Sequence, residues 1–384
     1  MFLTTHTAFQ LATNMIKHFI VILSVSFLVQ SCLTSNTLNV GMIDVDHLPE
    51  ESPKIDSVSF AILKSTSGNY ISSVSDIKYR NGKFYIFDIT QGLVMVFDKQ
   101  GNELGHIKKT GHGHDEYIQP MSFDIDNEGN VFIADGARGA IFEYKHSNYT
   151  FKKRIDVGRN FCGLGVINEN EFWISQYHSR ANYDGKLAYY NANSHIFNPI
   201  CKSIVKGESG ILYSSTNFNI FRSDSLLYYH ERFTPFVYRL GRNGICSDTL
   251  IIESCQLPTK KDVKIWAKQK PGPIEDDKIL DLKAFYIADG GAFISLADKR
   301  GTKLWHSFDK NKTIKFYSFS DNKFYYLNYS MSTVCDGCFV SWCDVSKLKE
   351  TSKRNEPNIV KNIIKSTQQQ KENSSFALLF YKLK

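Results

Sequence analysis

Three groups of residues have the types and spacing that site chemistry uses. The stretch Asp124-Ile-Asp-Asn-Glu-Gly-Asn-Val-Phe-Ile-Ala-Asp135 sets oxygen ligands at alternate positions, a glycine at the sixth place and an acid at the twelfth, as a calcium loop does. Its flanks are strand-like, however, and the twelfth residue is Asp rather than a bidentate Glu. The preferred reading is a hairpin that turns on Asp126, Asn127 and Gly129. His112 and His114 stand at i, i+2 in a Gly-rich loop, which suits two ligands on an extended strand, but no third ligand can be named beside them. Cys335, Cys338 and Cys343 are close together, yet zinc needs a fourth ligand that is not visible nearby. Asp336-Gly337 reads as a hairpin turn that faces Cys335 and Cys338 across it, leaving a local disulfide or buried thiols as the alternatives.

No Gly-x-Ser-x-Gly elbow or phosphate loop is present, so no catalytic residue, metal or cofactor is assigned. A metal-dependent hydrolase or lyase would need inward-facing acids or histidines from several repeats, for which Asp88, Asp135 and His230 are the positions to check. Trp173, Tyr177, Trp266, Trp305 and Trp342 would stack on sugars if any stood at an exposed face.

The elements that must position these residues repeat. Strand-like runs 75–79, 83–88 and 93–98 are followed by 122–126, 131–135 and 140–144 in one register: Asp88 falls on Asp135 and Phe97 on Tyr144, a shift of 47 residues in both cases. That period is the size of a propeller blade. Looser copies follow: a third over 164–190, a fourth over 220–244, a fifth over 283–308, and a sixth taken as 314–317, 323–327 and 338–342. Aromatics at 14%, mostly Phe and Tyr, suit half-buried pleated surfaces, so the fold class is all-β. Thr259 caps a helical segment that presents Val263, Trp266 and Ala267, and 356–372 groups Ile359, Val360 and Ile363. Both read as short helical insertions. Val58–Leu63 and Phe376–Leu383 are candidate strands for closing a ring from its two ends.

Near the start, Lys17 precedes an apolar run of about 11 residues, Phe19 to Val29, too short for the roughly 20 that cross a bilayer. Val29-Gln-Ser-Cys32 resembles the lipobox of bacterial lipoproteins. The expectation is a signal peptide over 1–31, lipidation of Cys32, a polar tether over 32–56 and a folded region over 57–384. Removing residues 1–31 takes away Lys17 and lowers the formal charge from +7 to +6, with no basic run, so nucleic acid is not an expected partner. Seven cysteines remain after Cys32, an odd number that excludes a full disulfide framework.

Residues 96–102, Ile107-Lys-Lys-Thr-Gly-His-Gly-His-Asp-Glu-Tyr117 and 122–126 together resemble the six-bladed β-propeller lipoproteins of Bacteroides-type bacteria, which are similar to NHL-repeat propellers. Gly111, Gly113, Glu116 and Tyr117 match the family's Gly-x-Gly-Pro-Gly-Glu-Tyr loop, with His114 and Asp115 in place of Pro-Gly. Residues 228–233, 237–240 and 379–384 extend the likeness over roughly 55–384. The resemblance implies a six-bladed propeller and little chemistry. Its expected role is a monomeric, lipid-anchored binding module of the cell envelope, attached to the outer membrane. The expected partner is a glycan, a peptide or an envelope protein, and His112, His114, Glu116 and Tyr117 are candidate ligand contacts. The alternatives are the metal-dependent hydrolase or lyase and a structural part of an outer-membrane uptake complex.

Overall fold

Each repeat becomes a sheet because short alternating apolar runs are broken by residues that accept left-handed backbone. Asn81-Gly82 (φ 49° and 77°) and Asp336-Gly337 (φ 47° and 72°) are two-residue turns of the kind that match the twist of a hairpin. The computed structural model describes residues 41–175, 186–201, 205, 219–269, 277–318, 331–351, 358–368 and 376–384; the expected signal peptide and Cys32 lie outside the described residues.

The chain opens with β1 (Met42–Asp44) and β2 (Ile55–Ile62). Five four-stranded antiparallel meanders then follow. Blade 1 holds β3 (Asp76–Arg80), β4 (Lys83–Asp88), β5 (Leu93–Asp98) and β6 (Glu103–Lys108). Blade 2 holds β7 (Pro120–Ile125), β8 (Val131–Asp135), β9 (Ala140–Tyr144) and β10 (Phe151–Asp156). Blade 3 holds β11 (Gly163–Asn168), β12 (Glu171–Ser175), β13 (Leu187–Asn191) and β14 (Ile196–Cys201), and blade 4 holds β15 (Ile220–Ser223), β16 (Leu226–His230), β17 (Phe236–Leu240) and β18 (Cys246–Glu253). After helix α1 (Lys260–Trp266), blade 5 holds β19 (Leu282–Ala288), β20 (Gly291–Leu296), β21 (Lys303–Ser307) and β22 (Lys312–Phe316). Blade 6 holds β23 (Thr333–Cys335), β24 (Cys338–Asp344) and, after helices α2 (Val345–Thr351) and α3 (Asn358–Gln368), β25 (Phe376–Leu383), with β2 as its outer strand.

The first strands of the six blades contact one another in turn, and β23 meets β3, so the sheets form a closed six-bladed β-propeller. Closure is by the two expected segments, with β2 antiparallel to β25 from Ile55↔Leu383 to Ile62↔Ala377. Aromatic pairs join successive blades: Phe87–Phe123 at 5.5 Å, Phe132–Phe172 at 5.7 Å, Tyr228–Phe285 at 4.8 Å, Phe293–Phe339 at 6.1 Å and Phe84–Phe380 at 5.7 Å. Such pairs add about 0.5–1.5 kcal/mol each beyond the area they bury, which accounts for the aromatic-rich composition.

Two details differ from the sequence reading. Residues 314–317, expected to open the sixth repeat, fall at the end of Lys312–Phe316, the outer strand of blade 5, and the inner strand of blade 6 is Thr333–Cys335. The turn after Ser307 sets that pairing, and a short alternating run carries no label for its sheet. Residues 323–327 lie outside the described residues. Residues 41–56, read as tether, lie along the rim. Here β1 runs parallel to β18 with Ile43 and Val45 buried, Glu51 N donates to Lys315 O (3.1 Å), and Lys54 exchanges backbone hydrogen bonds with Lys384 (2.9 and 3.3 Å). This strap covers the outer edges of blades 4 and 5, where unpaired N–H and C=O groups would otherwise stand open. The tryptophans form no stacking platform: Trp173, Trp266 and Trp305 are buried, Trp342 packs on Phe376, and Tyr177 lies outside the described residues.

Candidate functional site

Two polar regions stand out among the described residues. The first is on the ring axis. β3 alternates Asp76, Lys78 and Arg80 with Ile77 and Tyr79, and a pleated strand puts the charged set on one face. Lys78 Nζ reaches Asp76 (3.2 Å) and Asp124 (3.8 Å). Asp124, fully buried on β7, accepts two hydrogen bonds from Arg222 of β15 (2.8 and 2.6 Å) and one from Val166 N of β11 (2.7 Å), while Arg222 also donates to Val166 O (2.6 Å). On the next seam, Ser223 Oγ donates to Ile287 O and accepts from Ile287 N (2.8 Å each). Five inner strands are therefore cross-linked side to side.

Burial pushes the Asp76 carboxyl up, against the pull of Lys78. Burial acts on Asp124 in the same direction, but Arg222 and Lys78 outweigh it and hold this carboxyl below the usual carboxylate range. The cavity beside these groups, lined by Ser75, Asp76, Lys78, Ser122, Arg222 and Tyr286 among others, measures about 40 Å³. It has room for a few waters and none for an organic substrate. These charges tie the inner strands together around the axis.

The second region is a cleft of about 550 Å³ where hairpin turns of blades 2, 3 and 4 meet. The β7–β8 turn supplies Asp126, Asn127 and Glu128, the β11–β12 turn Asn168, Glu169, Asn170 and Glu171, and the β13–β14 and β17–β18 turns Asn191, Asn193 and Asn243. Three of its four carboxylates are engaged by strong partners, while the exposed Glu128 accepts from Asn130 Nδ2 at 3.3 Å. Asp126 accepts from Glu128 N, Asn130 N and Asn130 Nδ2 (2.8–2.9 Å), which is a hairpin turn holding itself closed. Glu169 pairs with Lys152 (3.2 Å), the main cause of its lowered carboxyl. Burial raises the Glu171 carboxyl, but hydrogen bonds from Tyr189 Oη (2.5 Å), Asn168 Nδ2 (2.5 Å) and Asn243 N (3.2 Å) carry it below the ordinary value. What the cleft offers a visitor is a lining of neutral amides, of which Asn127, Asn168 and Asn191 are also hydrogen-bonded within the protein, and no nucleophile beside a base among the described residues.

The residues singled out from sequence are dispersed. The three aspartates of the calcium-like stretch separate, with Asp124 on the axis, Asp126 in its own turn and Asp135 accepting from Ile118 N, Gln119 N, Ala137 N and Arg138 N (2.7–3.3 Å). Asp88 does the same at the end of β4 for Ser72 N, Ser72 Oγ, Ser73 N and Gln91 N (2.6–3.1 Å). His230, at the end of β16, is held between Asp281 Oδ1 (2.6 Å) and Thr234 O (3.1 Å). Asp88, Asp135 and His230 thus pin loops and do not converge. Among the described residues no three His, Cys, Asp or Glu are grouped to hold a metal.

His112, His114, Glu116 and Tyr117 lie in the connector from blade 1 to blade 2. Tyr117 is buried, its hydroxyl accepting from Lys109 N (3.0 Å) and donating to Gly92 O (2.6 Å). Glu116 accepts from Gly113 N (2.8 Å), and a Cβ on Gly111 would stand 2.0 Å from its Oε2, so the glycine makes room for the carboxylate. His112 and His114 are exposed, His114 edge-on to Phe151 at 5.9 Å. The cleft and the axial charges went unnoticed in the sequence. The alternation of Asp76, Lys78 and Arg80 on an otherwise apolar sheet was the available signal for the axis; nothing marked the cleft, because its turns are far apart in the chain.

The ring is similar to a Bacteroides fragilis protein described as exported, at 16% identity and a TM-score of 0.69 over 89% of this chain and 99% of that one, a likeness that shows the fold alone. Lower likenesses are to a DUF4221 family member of Bacteroides vulgatus (11% identity, TM-score 0.43, 88% and 99% covered) and to virginiamycin B lyase of Staphylococcus aureus (8%, 0.39, 74% and 80%). No protein of curated function matches the sequence. The family profile described as "domain of unknown function (DUF4934)" matches residues 44–382, nearly the whole ring, and the chain belongs to that family.

Proposed function

We propose that this propeller is a binding module of the cell envelope, tethered by lipid at Cys32, that takes a hydroxyl-rich ligand such as a glycan in the cleft between the turns of blades 2, 3 and 4. The cleft carries the reading: about 550 Å³, walled by asparagines, with the Asp126, Glu169 and Glu171 carboxylates engaged by the protein. Neutral amides that donate and accept match the alternating hydroxyls of a sugar, and turns on rigid sheets hold them in place. Likeness to an exported protein and the lipobox-like Val29–Cys32 support an envelope location.

The test is binding of purified protein to a panel of soluble oligosaccharides by calorimetry, repeated with Asn170→Ala/Asn193→Ala. A glycan that binds the wild type and loses about tenfold or more in the variant, as two lost hydrogen bonds imply, supports the cleft. Equal affinity in the variant removes the cleft from the reading, and no binding across the panel removes the glycan. Mass spectrometry of the mature N-terminus tests the tether: an unmodified Cys32 refutes it.

A further inference from the structure

The β23–β24 hairpin turns on Asp336 and Gly337, and Cys335 and Cys338 are the directly paired residues on either side. Opposed residues of an antiparallel pair point to the same sheet face. Their Cα atoms stand about 4.5–5.5 Å apart, inside the roughly 4.4–6.8 Å that a disulfide spans. Cys343, an odd number of residues further along, faces the other way: it packs between blades 5 and 6, whereas Cys335 packs between blades 6 and 1. Of the three neighbouring cysteines, one pair alone is in register. All seven described cysteines stand as thiols in the structure.

The tip of this hairpin is clasped on both sides. Asp336 accepts from Lys99 Nζ (2.5 Å) and Tyr79 Oη (3.2 Å) of blade 1, and a Cβ on Gly337 would stand 2.1 Å from Asp289 Oδ2, in the β19–β20 turn of blade 5. Whatever stiffens the tip stiffens both of its seams.

We propose that Cys335 and Cys338 are oxidised to a disulfide that locks the inner hairpin of the closing blade. The inference rests on the envelope location proposed above, since that compartment is oxidising. The half-exposed Cys338, as thiolate, attacks the disulfide of a thiol oxidant, of the glutathione or protein-disulfide class, and forms a mixed disulfide. The Cys335 thiolate then displaces the oxidant from Cys338 sulfur; the two electrons, and by way of solvent the two protons given up by the cysteines, end on the oxidant, now reduced to its thiols. In the finished ring, burial pushes the Cys335 thiol up to about 12 and raises that of Cys338, so the exchange belongs to the folding chain, before the tip is clasped.

The full chain is isolated from the envelope, and in parallel refolded in glutathione disulfide. Each sample is denatured and alkylated before any reductant, then digested. The expected result is a Cys335–Cys338 peptide two hydrogens lighter than its reduced form, with Cys343 alkylated, and a lower Tm after reduction that the Cys338→Ser variant does not show. Alkylation in denaturant reads the bond even if a variant folds poorly, and Cys343→Ser is expected to keep the pair. Two free thiols at 335 and 338 in the glutathione-refolded chain, or a bond from either to Cys343, overturns the pairing. A bond in the refolded chain that is missing from the envelope sample upholds the geometry and refutes the oxidising location.

Discussion

Replacing Asp124 by Ala removes a carboxylate that serves blades 1, 2, 3 and 4 together. Arg222, with a side chain 6% exposed, then keeps its charge with Val166 O as its remaining partner among those described, and Val166 N loses its acceptor. Breaking a buried pair from one side costs about 3–5 kcal/mol, because the orphaned charge stays desolvated. With a urea m-value of about 3 kcal/mol/M, the unfolding midpoint falls by roughly 1–1.7 M. The double variant Asp124→Leu/Arg222→Met removes both charges at similar volume and is expected to recover most of that loss. The measurement is urea unfolding at pH 7 followed by tryptophan fluorescence, which reports on the buried Trp173 and Trp305. A shift under about 0.3 M for Asp124→Ala, an error-sized change, or a double variant no better than the single, refutes the view that this pair locks the inner strands.

The same axis has a signature in pH. The Asp124 carboxyl is lowered by folding, so its contribution is fully present above the unfolded value near 3.9 and is lost as pH falls through the folded one. Asp76 is raised, so its contribution is present below about 3.9 and is lost as pH rises through its folded value. Asp76→Asn is therefore expected to gain on the wild type as pH climbs through that upper window, and parallel stability curves would contradict it. At the rim, Ile43→Ser removes the buried anchor of β1, a loss of about 2–4 kcal/mol confined to the strap. Faster hydrogen exchange at Ile251 N, which donates to Gly41 O (3.0 Å), together with self-association in light scattering, is the expected result; unchanged exchange argues that β1 does not shield that edge.

Much of the architecture is written locally. The 47-residue register of Asp88 and Asp135, the Asn81-Gly82 and Asp336-Gly337 turns, the capping box of Thr259 and Asp262 and the closing pair β2–β25 all rest on contacts between near neighbours or on strand patterns that need no distant partner to be recognised. Even the opposition of Cys335 and Cys338 follows from a two-residue turn. Where the pattern is short or strained, legibility stops. Three residues of β1 have no period to show, and a run such as Lys312–Phe316 joins whichever sheet its turn delivers it to.

The candidate site belongs to the other category. Asp124 and Arg222 are 98 residues apart, and the asparagines of the cleft come from four turns in three blades. No periodicity relates them, because a ring brings inner strands and turns together by curvature rather than by spacing along the chain. Acids that looked like ligands in sequence, Asp88, Asp126 and Asp135, proved to hold their own turns and connectors. Sequence alone determined the blade, its turns and the two strands that close the ring, since each depends on residues a few places apart. Only the tertiary structure decided which charges share the axis and which amides share the cleft, since those meetings depend on how six sheets close into one ring.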